Sequence, residues 1–302
     1  MTASARPRPI KVGVVGAGAL GYHHIRLLQK IEGAQLVGFY DHNPARAPQV
    51  AAELETTAFA SLDALLDQVE AMTVVVPTPA HVDVGLPILE RGICLQVGHV
   101  ERFNRAVRAA APYLEEPRFL QTERLAPFQP RGTDVAVILD LMIHDLDLVL
   151  ELVRSEVGEV RATGVPILTP HVDIANARVE FANGAVAIIT ASRVSRERTR
   201  KLRIFQPTGY FSLDLAQGNG HFYRLKAGWQ GLGATKIEEI VEHVKLDAPE
   251  AEPLKLELES FLRAVRGDGD VVVTGAAGLQ ALALAYRVAD AIETSPLAST
   301  RP

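Results

Sequence analysis

The chain has 302 residues, a net charge of −5 at neutral pH and one cysteine, Cys94. This length is sufficient for two domains with separate hydrophobic cores. The negative charge argues against a nucleic-acid partner or a membrane surface, and a single cysteine excludes a disulfide framework. Residues 1–9 lack the apolar core of a signal peptide, and every apolar stretch is shorter than a membrane span, so we expect a cytoplasmic protein.

A glycine-rich turn joins the first predicted strand, residues 12–15, to the first predicted helix, residues 22–31. Its three glycines provide the tight bend, the close backbone approach and the helix packing that a dinucleotide pyrophosphate requires. The N-terminus of the helix adds unpaired N–H groups that attract phosphate. The predicted cofactor-binding residues of this turn are Gly16, Gly18, Ala19, Leu20 and Gly21.

Asp41 ends the next predicted strand, residues 35–40, and indicates which dinucleotide is bound. A carboxylate at this place accepts hydrogen bonds from the adenine ribose hydroxyls and repels the 2′-phosphate of NADP. Arg46 lies close enough in sequence to favour NADP instead, since an arginine here accommodates that phosphate. We predict NAD as the cofactor, with NADP as the less favoured alternative.

Predicted strands and helices alternate up to about residue 117, which is typical of a parallel sheet covered by helices. Beyond it, predicted strands follow one another through turns such as Asn183-Gly184, which favours an antiparallel sheet. The sequence therefore predicts an α/β protein whose N-terminal Rossmann domain, residues 1–117, contains a doubly wound parallel sheet. The predicted second domain, residues 118–302, is an α+β domain with an open, mainly antiparallel sheet.

The predicted helix at residues 135–153 is apolar nearly all round, so we expect it to be largely buried. Asp140 and His144 lie four residues apart and share one face of this helix. A buried carboxylate or imidazole is costly unless it is paired. The pair is therefore either a structural hydrogen bond or a catalytic unit, in which His144 is a general base that Asp140 orients.

Charged side chains lie on both sides of that helix in the sequence, and a basic run begins at residue 193. One interpretation is a solvated sheet edge that discourages aggregation. The other is a diphosphate site on one face of a strand, because guanidinium groups bind phosphate through paired hydrogen bonds. The candidate substrate-binding residues are Arg124, Arg131, Asp134, Arg193 and Arg196.

Four segments together resemble the Gfo/Idh/MocA family of NAD(P)-dependent sugar oxidoreductases. They are the glycine turn, residues 77–81, residues 96–104 and residues 140–144. The resemblance implies that Pro77, Thr78 and His81 lie beside the nicotinamide ribose, and that Asp140 and His144 are the active-site acid and base.

The resemblance also implies hydride transfer between a sugar hydroxyl carbon and nicotinamide. Residues 131–145 look like the nucleotide-sugar branch of the family, which includes UDP-N-acetylglucosamine 3-dehydrogenases. A free-sugar or cyclitol dehydrogenase is the alternative. We further expect a homodimer or homotetramer that associates through the C-terminal sheet.

One family element has no counterpart in this chain. The resemblance implies a strand ending in Glu-Lys-Pro and a further helix after the predicted helix at 82–91, but here Gly92-Ile93 joins directly to residues 94–97. If residues 94–97 pair with the predicted strand at 72–76, His99 falls where the family's lysine would stand and becomes a third catalytic candidate. The alternative is a catalytically impaired or non-catalytic NAD-binding protein.

Overall fold

The computed structural model describes residues 8–130, 132–229, 231 and 236–294. Its contacts divide the chain into two compact units. The first consists of Met1–Gly98 and Leu254–Gly275, and the second of His99–Pro253 and Ala276–Pro302. In the described part of the chain, no helix is both long and apolar enough to cross a membrane.

The first unit contains a three-stranded parallel sheet in the order β2-β1-β3. The strands are β1 (Ile10–Val15), β2 (Ala34–Tyr40) and β3 (Ala71–Val74), and the helices are α1 (Ala19–Leu28), α2 (Arg46–Glu53), α3 (Leu62–Leu66), α4 (His81–Glu90) and most of α8 (Pro253–Arg266). Val12 and Val14 of β1 are fully buried and belong to one apolar cluster with Ile25 and Leu28 of α1. An apolar strand covered by helices is expected at the centre of a parallel sheet.

The second unit contains an eight-stranded sheet in the order β11-β10-β9-β8-β4-β7-β6-β5, in which only the β4–β7 pair is parallel. Its strands are β4 (Phe119–Leu125), β5 (Val157–Val165), β6 (Ile174–Phe181), β7 (Val186–Ser192), β8 (Thr199–Gln206), β9 (Gly209–Asp214), β10 (Asn219–Leu225) and β11 (Val241–Leu246). Its helices are α5 (Arg105–Ala110), α6 (Ile143–Val153), α7 (Ile237–Ile240) and α9 (Gly275–Glu293). The two sheets confirm the predicted fold class.

Alternation along β4 determines which of its side chains enter the core of the second unit. Leu120, Thr122 and Arg124 are buried, whereas the side chains between them are only partly covered. Successive strand residues point to opposite faces of a sheet, so Arg124 shares the inner face with Leu120. A cation therefore enters an otherwise apolar layer next to α6.

The predicted strand at residues 94–97 is not formed. Instead of pairing with β3, the Val97 N–H donates to the Val273 carbonyl (2.9 Å) and the Gln96 side-chain amide donates to the Glu257 carbonyl (3.2 Å). These bonds show why the prediction was wrong: the segment finds its partners in the returning residues 254–275 rather than at the edge of the sheet. Ala58, outside the named strands, forms a single parallel bridge with Phe39 of β2.

The division into units differs from the predicted boundary at residue 117. The chain enters the second unit at His99, because α5 packs its buried Ala106 and Val107 into the core of the larger sheet. Residues 254–275 return to the first unit, since Leu258 and Phe261 of α8 belong to the apolar cluster around β1.

Candidate functional site

The glycine turn of the first unit has the backbone geometry that only glycine allows. Gly16 has a φ of +89°, and a Cβ atom there would lie 2.1 Å from the Val75 carbonyl oxygen. A Cβ at Gly21 would lie 2.0 Å from the carbonyl oxygen of Gly16, so the helix packs directly on the turn. In contrast, a Cβ at Gly18 would have no atom within 4 Å, which leaves open space above the turn. These are the three properties that a pyrophosphate-binding turn requires.

The start of α1 and Asp41 complete this cofactor-binding surface. No side chain caps the N-terminus of α1, and Ala19 and Leu20 in its first turn are exposed. Asp41 accepts hydrogen bonds from the backbone N–H groups of Ala17 (2.6 Å) and Asn43 (2.8 Å), which fix its carboxylate beside the turn. The residues present therefore fit a dinucleotide with phosphates at the helix N-terminus and ribose hydroxyls at Asp41.

Pro77, Thr78 and His81 follow β3 and lie at the same end of the sheet as the glycine turn. Pro77 precedes the 3-10 turn Thr78–Ala80, and all three side chains are exposed. The His81 Nδ1 atom lies 3.2 Å from both the Pro77 and the Thr78 carbonyl oxygens, which fixes the imidazole at the start of α4. Ligands of open α/β sheets bind at the carboxyl ends of the strands, where these residues lie.

A buried ion network lies within the second unit. The Arg124 guanidinium donates to both carboxylate oxygens of Asp145 on α6 (2.7 and 2.9 Å) and to Glu101 Oε1 (2.9 Å). Asn104 donates to the other oxygen of Glu101 (2.9 Å), and Arg200 lies 3.4 Å from Glu101 Oε1. Burial by itself lowers the pKa of Arg124, but the two carboxylates outweigh burial and raise that pKa above its ordinary value. Arg124 was predicted to bind substrate. Instead it is buried and ion-paired with two carboxylates, because the alternation of side chains along β4 places it on the inner face of the sheet.

His144 is the second residue of α6 and lies beside this network. Its side chain is partly exposed, but its Nδ1 atom is buried without a hydrogen-bond partner among the described residues. Burial, followed by the positive charges of Arg124, His99 and Arg200, lowers the pKa of His144 to about 3. The imidazole is consequently neutral at neutral pH. The structure brings His99 next to it, with the two rings in contact.

Among the described residues, the Nδ1 atom of His144 has no hydrogen-bond partner, so Asp140 does not orient the imidazole through that atom. Asp140 lies in a π-helical turn, Ile138–Met142, that precedes α6. A Cβ built on Gly132, which has a φ of +74°, would lie 2.7 to 2.8 Å from the Asp140 carboxylate atoms. The Asp140 carboxylate thus lies beside the backbone of the 132 loop, and its catalytic role with His144 stays a prediction.

The remaining substrate-binding candidates lie in different environments. Arg193 is buried, and its guanidinium bonds the carbonyls of Gly132, Val135 and Val172, so it fastens the loop before α6 rather than facing a ligand as predicted.

Asp134 is exposed in that loop, and Arg131 lies outside the described residues. Arg196 is exposed in the connection before β8 instead of on a strand, because β8 begins at Thr199.

Three residues of these ion pairs were given no site role from the sequence: Arg102, Asp145 and Asp147. The signal was present in the two aspartates, which fall on an otherwise apolar helix and turn out to be fully buried. A buried carboxylate needs a cationic partner. That requirement predicts that each aspartate pairs with a cation such as arginine. The sequence alone does not say that Arg124 pairs with Asp145 and Arg102 with Asp147.

Comparisons with known proteins agree with this geometry. Residues 10–100 match the family described as "Oxidoreductase family, NAD-binding Rossmann fold" (GFO_IDH_MocA), and residues 107–212 match the "GFO/IDH/MocA C-terminal domain". A UDP-N-acetylglucosamine 3-dehydrogenase of Acidithiobacillus ferrooxidans is 39% identical, over 94% of this chain and 97% of that protein. A crystal structure of that protein has a TM-score of 0.85 at 37% identity and covers 94% of this chain and 97% of its own.

Two other similarities are weaker. The scyllo-inositol 2-dehydrogenase (NAD(+)) of Bacillus subtilis is 26% identical over 62% of this chain and 68% of that protein. The structure of a levoglucosan dehydrogenase in complex with NADH and L-sorbose has a TM-score of 0.83 at 15% identity, with 95% of this chain and 97% of that one covered. At that identity the match shows the fold alone.

The alignment with the Acidithiobacillus enzyme extends over 317 positions, more than the 302 residues of this chain, so that enzyme has residues that this chain lacks. The comparisons confirm the predicted family, the oxidoreductase class and NAD as the cofactor. Both structural units are accounted for by the two family matches and by a relative that aligns over almost its whole length. The chain therefore belongs to the Gfo/Idh/MocA family of NAD-binding oxidoreductases.

Proposed function

We propose that this protein is an NAD-dependent dehydrogenase that oxidises a hydroxyl group of a nucleotide sugar. The observation that carries the proposal is the 39% identity with a UDP-N-acetylglucosamine 3-dehydrogenase over nearly the full length of both proteins. The first unit supplies the cofactor residues: the glycine turn, Asp41 and residues 77–81. The second unit supplies His144 as the proton acceptor.

The chemistry assigned to this chain is a proton transfer at His144. Bound NAD⁺ supplies the acceptor for the hydride that leaves the hydroxyl-bearing carbon. Because Nδ1 is buried, we assign the accepting atom as Nε2, with the resident proton on Nδ1. The hydroxyl proton moves to Nε2 as the hydride leaves, so that a ketone, NADH and an imidazolium are formed. That imidazolium then releases its proton to solvent.

The lowered pKa of His144 affects both directions of the reaction. A neutral imidazole is the form that accepts a proton, and it predominates at every pH well above 3. Burial and the charges of Arg124 and Arg200 disfavour the imidazolium. Oxidation forms this imidazolium and ketone reduction consumes it, so the lowered pKa makes His144 a weak base in oxidation and leaves little of the acid form for reduction.

The diphosphate of the substrate is assigned to exposed arginines of the connection before β8. Arg196 and Arg198 are both exposed. Arg198 is close enough to Arg200 to lower its pKa, after the larger effects of burial, Arg124 and Glu101, and Arg200 in turn acts on His144. A line of positive charge thus extends from the proposed reaction centre to the surface, as a nucleoside diphosphate group requires.

A cyclitol dehydrogenase is the second candidate, favoured by the similarity to a scyllo-inositol 2-dehydrogenase. The test is NADH formation by the purified protein with UDP-N-acetylglucosamine, UDP-glucose, N-acetylglucosamine and scyllo-inositol. We expect the highest kcat/KM with a UDP-sugar. Oxidation of scyllo-inositol without oxidation of any UDP-sugar favours the second candidate. NAD binding without turnover of any of the four substrates contradicts both.

His144→Ala tests the proton acceptor in the same assay. Loss of a general base should lower kcat by about 10²-fold or more. His171→Ala is the matched control, because His171 is an exposed histidine of the same unit. Full activity in His144→Ala would remove the proposed mechanism.

We also propose that the protein is cytoplasmic, as expected from the sequence. We further propose a homo-oligomer that associates through the outer face of the eight-stranded sheet. A row of five aromatic rings crosses this face at paired positions of neighbouring strands. Successive ring centroids are 5.7, 5.3, 4.7 and 5.0 Å apart. The rings belong to Phe119, Phe205, Tyr210, Tyr223 and His243, and an apolar patch of this kind marks an association surface.

A further inference from the structure

The strongest unexplained contact of the second unit joins the two histidines. His99 lies immediately before the 3-10 turn Val100–Phe103 and is 5% exposed. Its ring meets the ring of His144 edge to face, with centroids 5.8 Å apart and planes at 85°. The Nδ1 atoms of both rings are buried and lack hydrogen-bond partners in the described ranges. On the Nδ1 side, therefore, ring contact with His99 rather than a hydrogen bond constrains His144.

On the side away from His144, the His99 ring faces Asp147, which is three residues after His144 on α6. The His99 Nε2 atom lies 3.9 Å from Asp147 Oδ1, so the two are neighbours without a hydrogen bond. Arg102, on the same 3-10 turn as His99, donates to both oxygens of Asp147 (2.7 and 2.6 Å). Arg102 also donates to Glu151, one turn further along α6 (2.7 Å).

This arrangement fastens the short turn that carries His99 to the helix that carries His144. A bidentate arginine–carboxylate pair fixes both distance and orientation. Both anchors, Asp147 and Arg102, are almost completely buried, so the pair is little screened by solvent. The separation of the two imidazoles is consequently set by one rigid connection.

The other charged groups around His144 do not perform this role. Arg124 from β4 is occupied by Asp145 and Glu101, and Arg200 from β8 is near Glu101. Each acts on His144 through its charge, and none is hydrogen-bonded to its buried Nδ1.

We infer that His99, which precedes a turn that Arg102 fastens to Asp147, is a positioning residue for His144. The inference rests on the proposed role of His144 as the proton acceptor. Without the His99 ring, the His144 side chain gains rotational freedom, and the hydroxyl proton and the departing hydride are no longer aligned together. Misplacement of a reacting group by a fraction of an ångström lowers the rate of the chemical step while substrate binding is retained.

The test compares His99→Ala, which removes the ring, with His99→Phe, which retains an edge-to-face contact without the nitrogens. Three quantities are measured with the best UDP-sugar: kcat, KM and the primary deuterium isotope effect at the oxidised carbon. For His99→Ala we expect kcat to fall about 10-fold or more, KM to stay within about 2-fold, and the isotope effect to rise. His99→Phe should recover most of kcat and the wild-type isotope effect.

The isotope effect separates positioning from simple loss of folded protein, since a smaller active fraction lowers kcat but leaves the isotope effect unchanged. Asp147→Asn weakens the bond to Arg102 but keeps His99, so kcat should fall and the isotope effect should rise by less than in His99→Ala, with KM again within about 2-fold. The dissociation constant of NAD should be unchanged in every variant, because the cofactor residues belong to the first unit.

Wild-type kcat and isotope effect in His99→Ala would overturn the inference, as would a His99→Phe variant no better than His99→Ala. If His144→Ala is inactive while His99→Ala is normal, only this inference fails. If His144→Ala is fully active, the proposed function fails with it.

Discussion

Glu257 provides a test of the burial described for the first unit, because burial is what shifts the pKa of its carboxyl group. It lies on α8, is 7% exposed, and its Oε2 atom is buried without a hydrogen-bond partner among the described residues. Burial raises the pKa of Glu257 from 4.5 to about 8. At neutral pH the folded protein therefore holds a proton on Glu257 that the unfolded chain has released.

The sign of the resulting pH dependence follows from this difference. Between pH 4.5 and about 8 the folded state binds one proton more at Glu257 than the unfolded state, so the free energy of unfolding falls as the pH rises. One pH unit corresponds to about 1.4 kcal/mol for one proton. From about pH 6.5 to about pH 8, with the titration near its folded midpoint included, the loss amounts to about 1.5 kcal/mol.

Glu257→Gln removes this proton while keeping the shape of the side chain. The free energy of unfolding is measured by urea denaturation with far-UV circular dichroism at the two pH values, together with hydrogen exchange of peptides from α8. We expect the variant to gain about 1.5 kcal/mol relative to the wild type between pH 6.5 and pH 8. Glu259→Gln is the control, because Glu259 lies on the same helix with a side chain that is 38% exposed.

An unchanged difference between Glu257→Gln and the wild type at the two pH values would refute the reasoning. It would mean that the carboxyl group is ionised, with a partner, or solvated in the folded protein. A matching change in Glu259→Gln would assign the effect to the charge of the helix as a whole.

Two further predictions concern the ligands. Asp41→Asn keeps an oxygen for the Ala17 N–H but removes the charge, so the dissociation constant of NAD should rise about 10-fold and the ratio of the NADP and NAD dissociation constants should fall. Calorimetric titration with both cofactors measures these constants. Tighter binding of NADP than of NAD by the wild type would contradict the prediction. Replacing both Arg196 and Arg198 by alanine should raise KM for a UDP-sugar about 10-fold or more without affecting oxidation of the free sugar. Arg161→Ala, an exposed arginine on β5, is the control for the double variant, and equal KM values for the double variant and the wild type would exclude these arginines from diphosphate binding.

Local backbone chemistry made the cofactor turn predictable from the sequence. Gly16 and Gly21 occupy positions where a Cβ would collide with a carbonyl oxygen about 2 Å away, so the glycines report the geometry directly. The alternation of strands and helices, and then of strands and turns, likewise predicted both sheets. These features depend on residues that are close together in the chain.

The errors arose where the partner of a residue is distant in the sequence. Residues 94–97 have the composition of a strand, but Gln96 and Val97 bond to residues more than 150 positions further along. The inward direction of Arg124 was predictable, because Arg124 lies four residues after the apolar Leu120 on the same strand and therefore shares its face. Its pairing with Asp145 and Glu101 was not predictable.

The return of residues 254–275 to the first unit has a consequence for biosynthesis. The apolar cluster around β1 includes Leu258, Phe261 and Leu262 of α8, which the ribosome adds only after the entire eight-stranded sheet has been made. A nascent chain that ends anywhere before them exposes the apolar surface that they cover. Contacts of such long sequence separation form slowly, and surfaces left uncovered in the meantime are prone to aggregate. The cofactor-binding half starts the chain, yet its core stays incomplete until α8 is made, and the core of the second unit waits longer still for Leu284, Val288 and Ile292 of α9.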